Sequence, residues 1–258
     1  MAAAQRYGFE KAALSQRLEK SLREVSQLET IANRVGVPIV EPFAGVGTSD
    51  RAFQIVGPTR DYYEELLQAV QAPATSERSL SILTKARELA WKLVPETLHI
   101  ETLRDGGVTS ATNSMSAICL LNVNGRRSLF TGDAGIDALH RAVSFMEDDG
   151  FLAGQLKFCQ IPHHGSRRNV GPTVLNRLLG PKGQEKTHST AYVSAPPENP
   201  ERKHPAKKVT NAFRRRGYEV HATQGVIKNH SHQAPARLGF VPCDPLPFHL
   251  QVEEDSEA

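Results

Sequence analysis

The chain is poor in cysteine and tryptophan, with three and one among 258 residues. Cys119, Cys159 and Cys243 are too few, too scattered and odd in number for a disulfide framework, and none has the CxxC spacing of a zinc knuckle. A reducing, cytoplasmic setting is the expectation that follows. Cys119 and Cys159 fall inside apolar strand candidates, where a free thiol acts as a small buried hydrophobe. No apolar run approaches the roughly 18 residues of a membrane span. Met1 to Arg6 also lack an apolar core of signal-peptide length, so a soluble protein without a membrane partner is expected. The spacing of a phosphate loop, GxxxxGKS or GxxxxGKT, is missing, and Gly45-Val46-Gly47-Thr48 reads as a connector. A net charge of +3 is too mild to require a nucleic-acid partner, though it does not repel a polyanionic substrate.

What remains is an ordinary globular composition, 39% hydrophobic and 23% charged, long enough to bury a substantial core. Leu14, Leu18, Leu22, Val25, Leu28, Ala32 and Val35 recur at helical steps from about residue 9 to 35, and Gly36 and Pro38 stop that helix. Phe53 to Val56 predicts a strand leading into a helix from Asp61, and a second amphipathic helix is expected from about Glu77 to Val94 behind a Ser76 cap. Ala117 to Val123 and Ser128 to Thr131 flank Asn124-Gly125, a strong hairpin signal. A helix from Gly135 to Met146 should follow, then a strand from Leu156 to Ile161. A strand over Ala191 to Ser194 precedes a Pro-rich loop and a helix beginning at Pro205, and Tyr218 to Ala222 is the last strand expected. This mixture of hairpin strands and strand-helix units predicts a layered α/β domain with a mixed sheet.

Three motifs end strand-like stretches in the same rhythm. Thr131-Gly132-Asp133 offers a carboxylate, whose two oxygens can bridge two divalent ions about 3.5 to 4 Å apart, although Asp is also a preferred helix N-cap. Ile161-Pro162-His163-His164-Gly165-Ser166 offers adjacent imidazoles. On an extended strand these would point to opposite faces, so one would reach a metal while the other became an outer partner or a substrate contact. Which of the two is the ligand stays open at this level. His204, before Pro205, is a third candidate ligand. His230-Ser231-His232 reads as a loop pair, and His99, His140, His188, His221 and His249 as surface or structural residues.

Asn113 to Ser116, Thr131-Gly132-Asp133-Ala134, Pro162 to Ser166, His204-Pro205 and Thr223-Gln224-Gly225, in this order, resemble the metallo-β-lactamase superfamily over about residues 10 to 228. The branch most similar is the hydrolase module of bacterial DNA-uptake competence proteins, related to phosphorylcholine esterases. The resemblance implies a four-layer αββα sandwich over residues 1–236, with a helical insert at about 76–95 and an irregular, acidic tail at 237–258. It implies a zinc-dependent hydrolase acting on phosphodiester or related ester bonds through a zinc-bound hydroxide. Asp133, His163, His164 and His204 are then the metal-site residues, and Asp133, His163 and His164 the catalytic ones. The HxHxDH sequence of such enzymes is absent. That absence implies an N-terminally incomplete domain or a degenerate relative, with two zinc ions if completed upstream, one or none for this chain alone, and impaired activity. The alternative is a non-catalytic binding protein of the same fold. It could bind nucleic acid through segment 202–216, where Arg202, Lys203, Lys207, Lys208, Arg214, Arg215 and Arg216 occur without an acid.

Overall fold

The computed structural model describes residues 26–71, 93–183, 189–197 and 204–253. The chain divides into a unit ending at Glu41 and a unit from Pro42 onward. In the first, residues 26–35 are helical and the helix ends at Gly36, as the sequence predicts, while residues 9–25 of the expected helix lie outside the described residues. Along it Leu28, Ile31 and Val35 are exposed.

The second unit runs β1 (Phe53–Gly57), α1 (Arg60–Gln71), β2 (Leu93–Pro95), α2 (Ala111–Ser114), β3 (Ile118–Val123), β4 (Arg126–Phe130), α3 (Ile136–Asp148), β5 (Leu156–Gln160), α4 (Pro172–Leu179), β6 (Thr190–Val193), α5 (Lys207–Arg215), β7 (Glu219–Ala222) and β8 (Gln251–Glu253). Six strands form one sheet in the order β1-β3-β4-β5-β6-β7. The β1-β3 and β3-β4 pairs are antiparallel and the remaining three are parallel. The α/β reading therefore holds, with three successive β-α-β units following a hairpin.

The hairpin turns where its chemistry requires: Asn124 and Gly125 have φ of 51° and 76°, the left-handed pair that matches strand twist, and Val123 pairs with Arg126. Register then sorts the side chains. Gln54, Leu120 and Leu129 align on one face, as do Asn122 and Arg127, whereas Phe53, Leu121 and Ser128, and likewise Ile55, Cys119 and Phe130, align on the other. A bulge between β4 and β5 leaves Lys157 without a partner, so Leu156 and Cys159 both enter the core despite their odd spacing. Leu139, Val143, Leu175, Leu178, Val209 and Phe213 from α3, α4 and α5 pack on that face. Burial pushes the Cys159 thiol up to about 12, and it stays a neutral hydrophobe.

The opposite face carries a row of rings across adjacent strands. Phe130 and Phe158 have centroids 5.5 Å apart, Phe158 and Tyr192 5.4 Å, and Tyr192 and His221 5.3 Å. His230 lies over part of this row, 5.0 Å from Phe158 and 5.9 Å from Tyr192. Phe53, Val123 and Phe130 remain 37%, 49% and 40% exposed.

Three expectations need correction. The helix expected to run to Val94 lies mostly outside the described residues, but Leu93–Pro95 is strand β2, because it pairs antiparallel with β8. The tail contains that partner strand: Val252 is fully buried, and the Glu253 carboxylate accepts from the Lys207 and Lys208 amides, where the start of α5 has no side-chain cap of its own. The helix expected to begin at Pro205 begins at Lys207, two residues later.

Three basic side chains of the stretch 202–216 are buried. Lys208, Arg215 and Arg216 are 1%, 3% and 0% exposed. Arg215 donates to Glu96 Oε2 at 2.9 Å and to the Thr97 and Ile100 carbonyls. Arg216 donates to Glu101 at 2.8 Å, to Asn176 and to the Ala212 carbonyl. Arg202 and Lys203 lie outside the described residues, and Lys207 is exposed.

Burial alone would raise the Glu96 carboxyl, but hydrogen bonds from Asn211, Thr102 and Arg215 outweigh it and hold it below the ordinary glutamate range. Since the folded value is the lower one, this contribution is complete above the unfolded glutamate range and is lost as pH falls through the folded value. Glu96→Ala strands the Arg215 guanidinium without its counter-charge, so urea unfolding at pH 7 should show a loss of roughly 3–5 kcal/mol. The difference from wild type should shrink toward pH 3.

Candidate functional site

The three motifs meet at the C-terminal edge of the parallel strands, where α/β sheets commonly bind ligands. Gln160, the last residue of β5, accepts from the Thr131 and Gly132 amides at 3.0 and 3.2 Å through its side-chain oxygen. Its carbonyl accepts from the Thr131 hydroxyl at 3.0 Å. Ser116 Oγ accepts from the Asp133 amide at 3.1 Å, and Asn169 donates to the Asp133 carbonyl at 2.9 Å. The backbone around Asp133 is thus held on three sides while its side chain stays 44% exposed. The helix-capping role is taken by Gly135, two residues later, and Asp133 is free of it.

The histidine pair is not on an extended strand. His163, His164 and Gly165 have φ of 45°, 56° and 78°, forming a tight 3-10 turn after Pro162. Two consecutive non-glycine residues in the left-handed region are costly and persist only where neighbours hold them. The His163 amide donates to the Gly132 carbonyl at 3.1 Å, and the Ala206 amide donates to the Gly165 carbonyl at 3.0 Å. Backbone bonds therefore stitch the Gly-Asp, His-His-Gly and His-Pro segments side by side. Gly165 has no room for a side chain, since a Cβ there would stand 2.8 Å from Pro205 Cβ.

The two imidazoles lie 5.7 Å apart, centroid to centroid, and have different partners. His163 Nδ1 is 3.5 Å from Asp133 Oδ1 and 3.4 Å from Asn113 Nδ2. His164 Nδ1 is 2.8 Å from the Ser194 carbonyl. A carbonyl only accepts, so Nδ1 of His164 carries the proton and Nε2 of the neutral ring is left with its lone pair. His204 is exposed and follows the turn through Pro205.

Zinc bonds to nitrogen and oxygen of about 2.0–2.2 Å at a tetrahedral angle span donors about 3.4 Å apart, so the separation between Asp133 and His163 suits a shared ion. The full set does not fit. Among the described residues no three His, Cys, Asp or Glu side chains are grouped to hold a metal ion, whereas catalytic zinc takes three protein ligands. The structure brings Asp133 and His163 together, turns His164 to the Ser194 carbonyl, and lays the His204-Pro205 backbone against the same turn.

Gln160 and Asn169 were not anticipated as parts of this site. A glutamine closing an otherwise apolar strand was a visible signal for the first, whereas Asn169 lies in a loop with no pattern to mark it. Of the other histidines, His140 meets an Arg177 nitrogen at 3.0 Å and His221 meets the Cys243 sulfur at 3.5 Å, while His188 lies outside the described residues. No protein-family model, curated protein or solved structure matches the chain.

Gly165→Ala tests the stitching directly. The added methyl must displace Pro205 in a left-handed backbone, so urea unfolding should show a loss of about 1–3 kcal/mol. A variant as stable as wild type would mean that the His-Pro segment is not held by this contact.

Proposed function

We propose that the chain carries part of a metal-dependent hydrolase site of the metallo-β-lactamase kind, directed at phosphodiester or related esters and short of metal donors as it stands. The observation that carries this reading is the Asp133 carboxylate 3.5 Å from His163 Nδ1, at the strand edge where the His164 turn and the His204-Pro205 segment are joined. The exposed aromatic sheet face supports the four-layer arrangement, in which a second sheet would cover Phe53, Val123 and Phe130. In this reading zinc would supply an activated hydroxide, and Asp133 and His163 would be two of its donors. His164, with its proton fixed on Nδ1, leaves Nε2 able to accept a proton from an attacking water.

The lack of a third grouped donor among the described residues favours a second reading, a non-catalytic relative of the same fold. A nucleic-acid role for segment 202–216 has less support, because Lys208, Arg215 and Arg216 are buried. No described helix is long and apolar enough to cross a membrane, in keeping with a proposed cytoplasmic setting.

Calorimetric titration with zinc, paired with cleavage of bis-p-nitrophenyl phosphate, tests the proposal. The chain should take up one zinc weakly, and Asp133→Asn and His163→Ala should each weaken uptake at least about tenfold. Diester cleavage should be slow and lost in both variants. Zinc uptake identical in wild type and Asp133→Asn would overturn the assignment, and zinc uptake without any cleavage would favour the non-catalytic reading.

A further inference from the structure

The short helix α2 carries to the Asp133 edge a side chain that the proposed zinc site does not use. The Ser110 hydroxyl caps this helix by accepting from the Asn113 amide at 3.2 Å, and the Asn113 carbonyl accepts from the Ser116 amide at 3.0 Å. With its backbone tied on both sides, Asn113 places its side-chain amide between two acceptors. Nδ2 lies 2.8 Å from Thr109 Oγ1 and 3.4 Å from His163 Nδ1. Thr109 is itself packed against Gly135, where a Cβ would stand 2.5 Å from Thr109 Cγ2.

The neighbours of His163 Nδ1 make opposite demands. A side-chain amide nitrogen only donates, so it requires a lone pair on the ring nitrogen. The Asp133 carboxylate, 3.5 Å away, only accepts and favours a proton there. Exposure decides between them. Asp133 is 44% exposed, so water satisfies and screens its oxygens, whereas a proton on Nδ1 would set two N–H groups against each other at 3.4 Å. His163 then carries its proton on Nε2. His164 is fixed the other way, with Nδ1–H donating to the Ser194 carbonyl at 2.8 Å. These bonds engage Nδ1 of both rings and leave each Nε2 to a ligand.

We infer that Asn113 is a positioning residue that holds His163 in the tautomer opposite to that of His164. Two imidazoles with centroids 5.7 Å apart thereby offer one N–H donor and one lone pair. A ligand that matches the pair brings a hydrogen-bond acceptor and a donor together, as an ester oxygen and an attacking water do. The tautomers stand on hydrogen bonding alone, and their use in hydrolysis rests on the function proposed above.

Nitrogen NMR reads the tautomers, because protonated and unprotonated ring nitrogens resonate far apart. The full chain, labelled with nitrogen-15 in histidine and kept free of zinc with EDTA, is followed in alkaline buffer, where imidazoles are neutral. His163→Gln and His164→Gln assign the two rings. In the wild type His163 should carry its proton on Nε2 and His164 on Nδ1. Asn113→Asp, which puts an acceptor in place of the donor, should move the His163 proton to Nδ1. Asn113→Ala should shift the His163 tautomer ratio toward Nδ1 by at least about fivefold, the worth of one hydrogen bond. His164 should not move in either variant, and unchanged His140 and His221 signals, each ring having partners elsewhere, report an intact fold. A wild-type His163 protonated on Nδ1, or a His163 ratio unchanged in both variants, would overturn the proposal. Since the measurement contains no metal, a chain that shows these tautomers but takes up no zinc would lose the zinc-site reading and keep this one.

Discussion

Two adjacent arginines at the end of α5 have to be satisfied inside the protein, and much of the surrounding chain is arranged to do it. Arg215 and Arg216 cannot shed their charge, so each brings a glutamate from the segment after β2, Glu96 and Glu101 respectively. Glu96 is shared with Thr102 and Asn211, and Asn211 also binds the His249 carbonyl and amide. This network joins α5, the segment at 96–102 and the chain leading into β8. Arg215 Nη1 is buried without a hydrogen-bond partner among the described residues, and the guanidinium lies 5.0 Å from the Phe248 ring. Such a network contributes less net free energy than its number of bonds suggests, because desolvation offsets most of the gain, but it penalises any arrangement that leaves a member unpaired.

With α5 held this way, its first residues carry the His204-Pro205 segment to the sheet edge. There the site is built chiefly by main-chain bonds, with Gln160 and Ser116 supplying the side-chain acceptors. The side chains with chemistry to offer are left outward-facing and partly exposed. An edge of this kind brings Asp133 and His163 together without grouping three such side chains among the described residues.

The sequence carried the local rules well and the distant ones poorly. The hairpin at Asn124-Gly125, the helices after β1 and β4, and the strands ending at Gln160, Val193 and Ala222 follow from periodicity and turn chemistry acting over a few residues. The rhythm of strand endings also brought Asp133 and the histidine turn to one edge. Three things depended on partners far along the chain. The short strand β2 exists because β8 pairs with it 158 residues later, and neither three-residue piece announces itself alone. The burial of Arg215 and Arg216 depends on Glu96 and Glu101, more than a hundred residues upstream, which nothing within the basic helix itself signals. The left-handed backbone at His163 and His164 is imposed by the neighbouring Gly132 and Pro205 segments, where local preference pointed to an extended strand.

The row of rings opposite the helices sets how the chain behaves toward its surroundings. Where His230 does not shield it, Phe53, Val123 and Phe130 present water with a broad greasy wall, and a net charge of +3 gives little mutual repulsion to keep such walls apart. Added salt would screen that small repulsion while leaving the wall's adhesion intact. An apolar surface confined to one side of one sheet should therefore make self-association of the chain rise as salt is added.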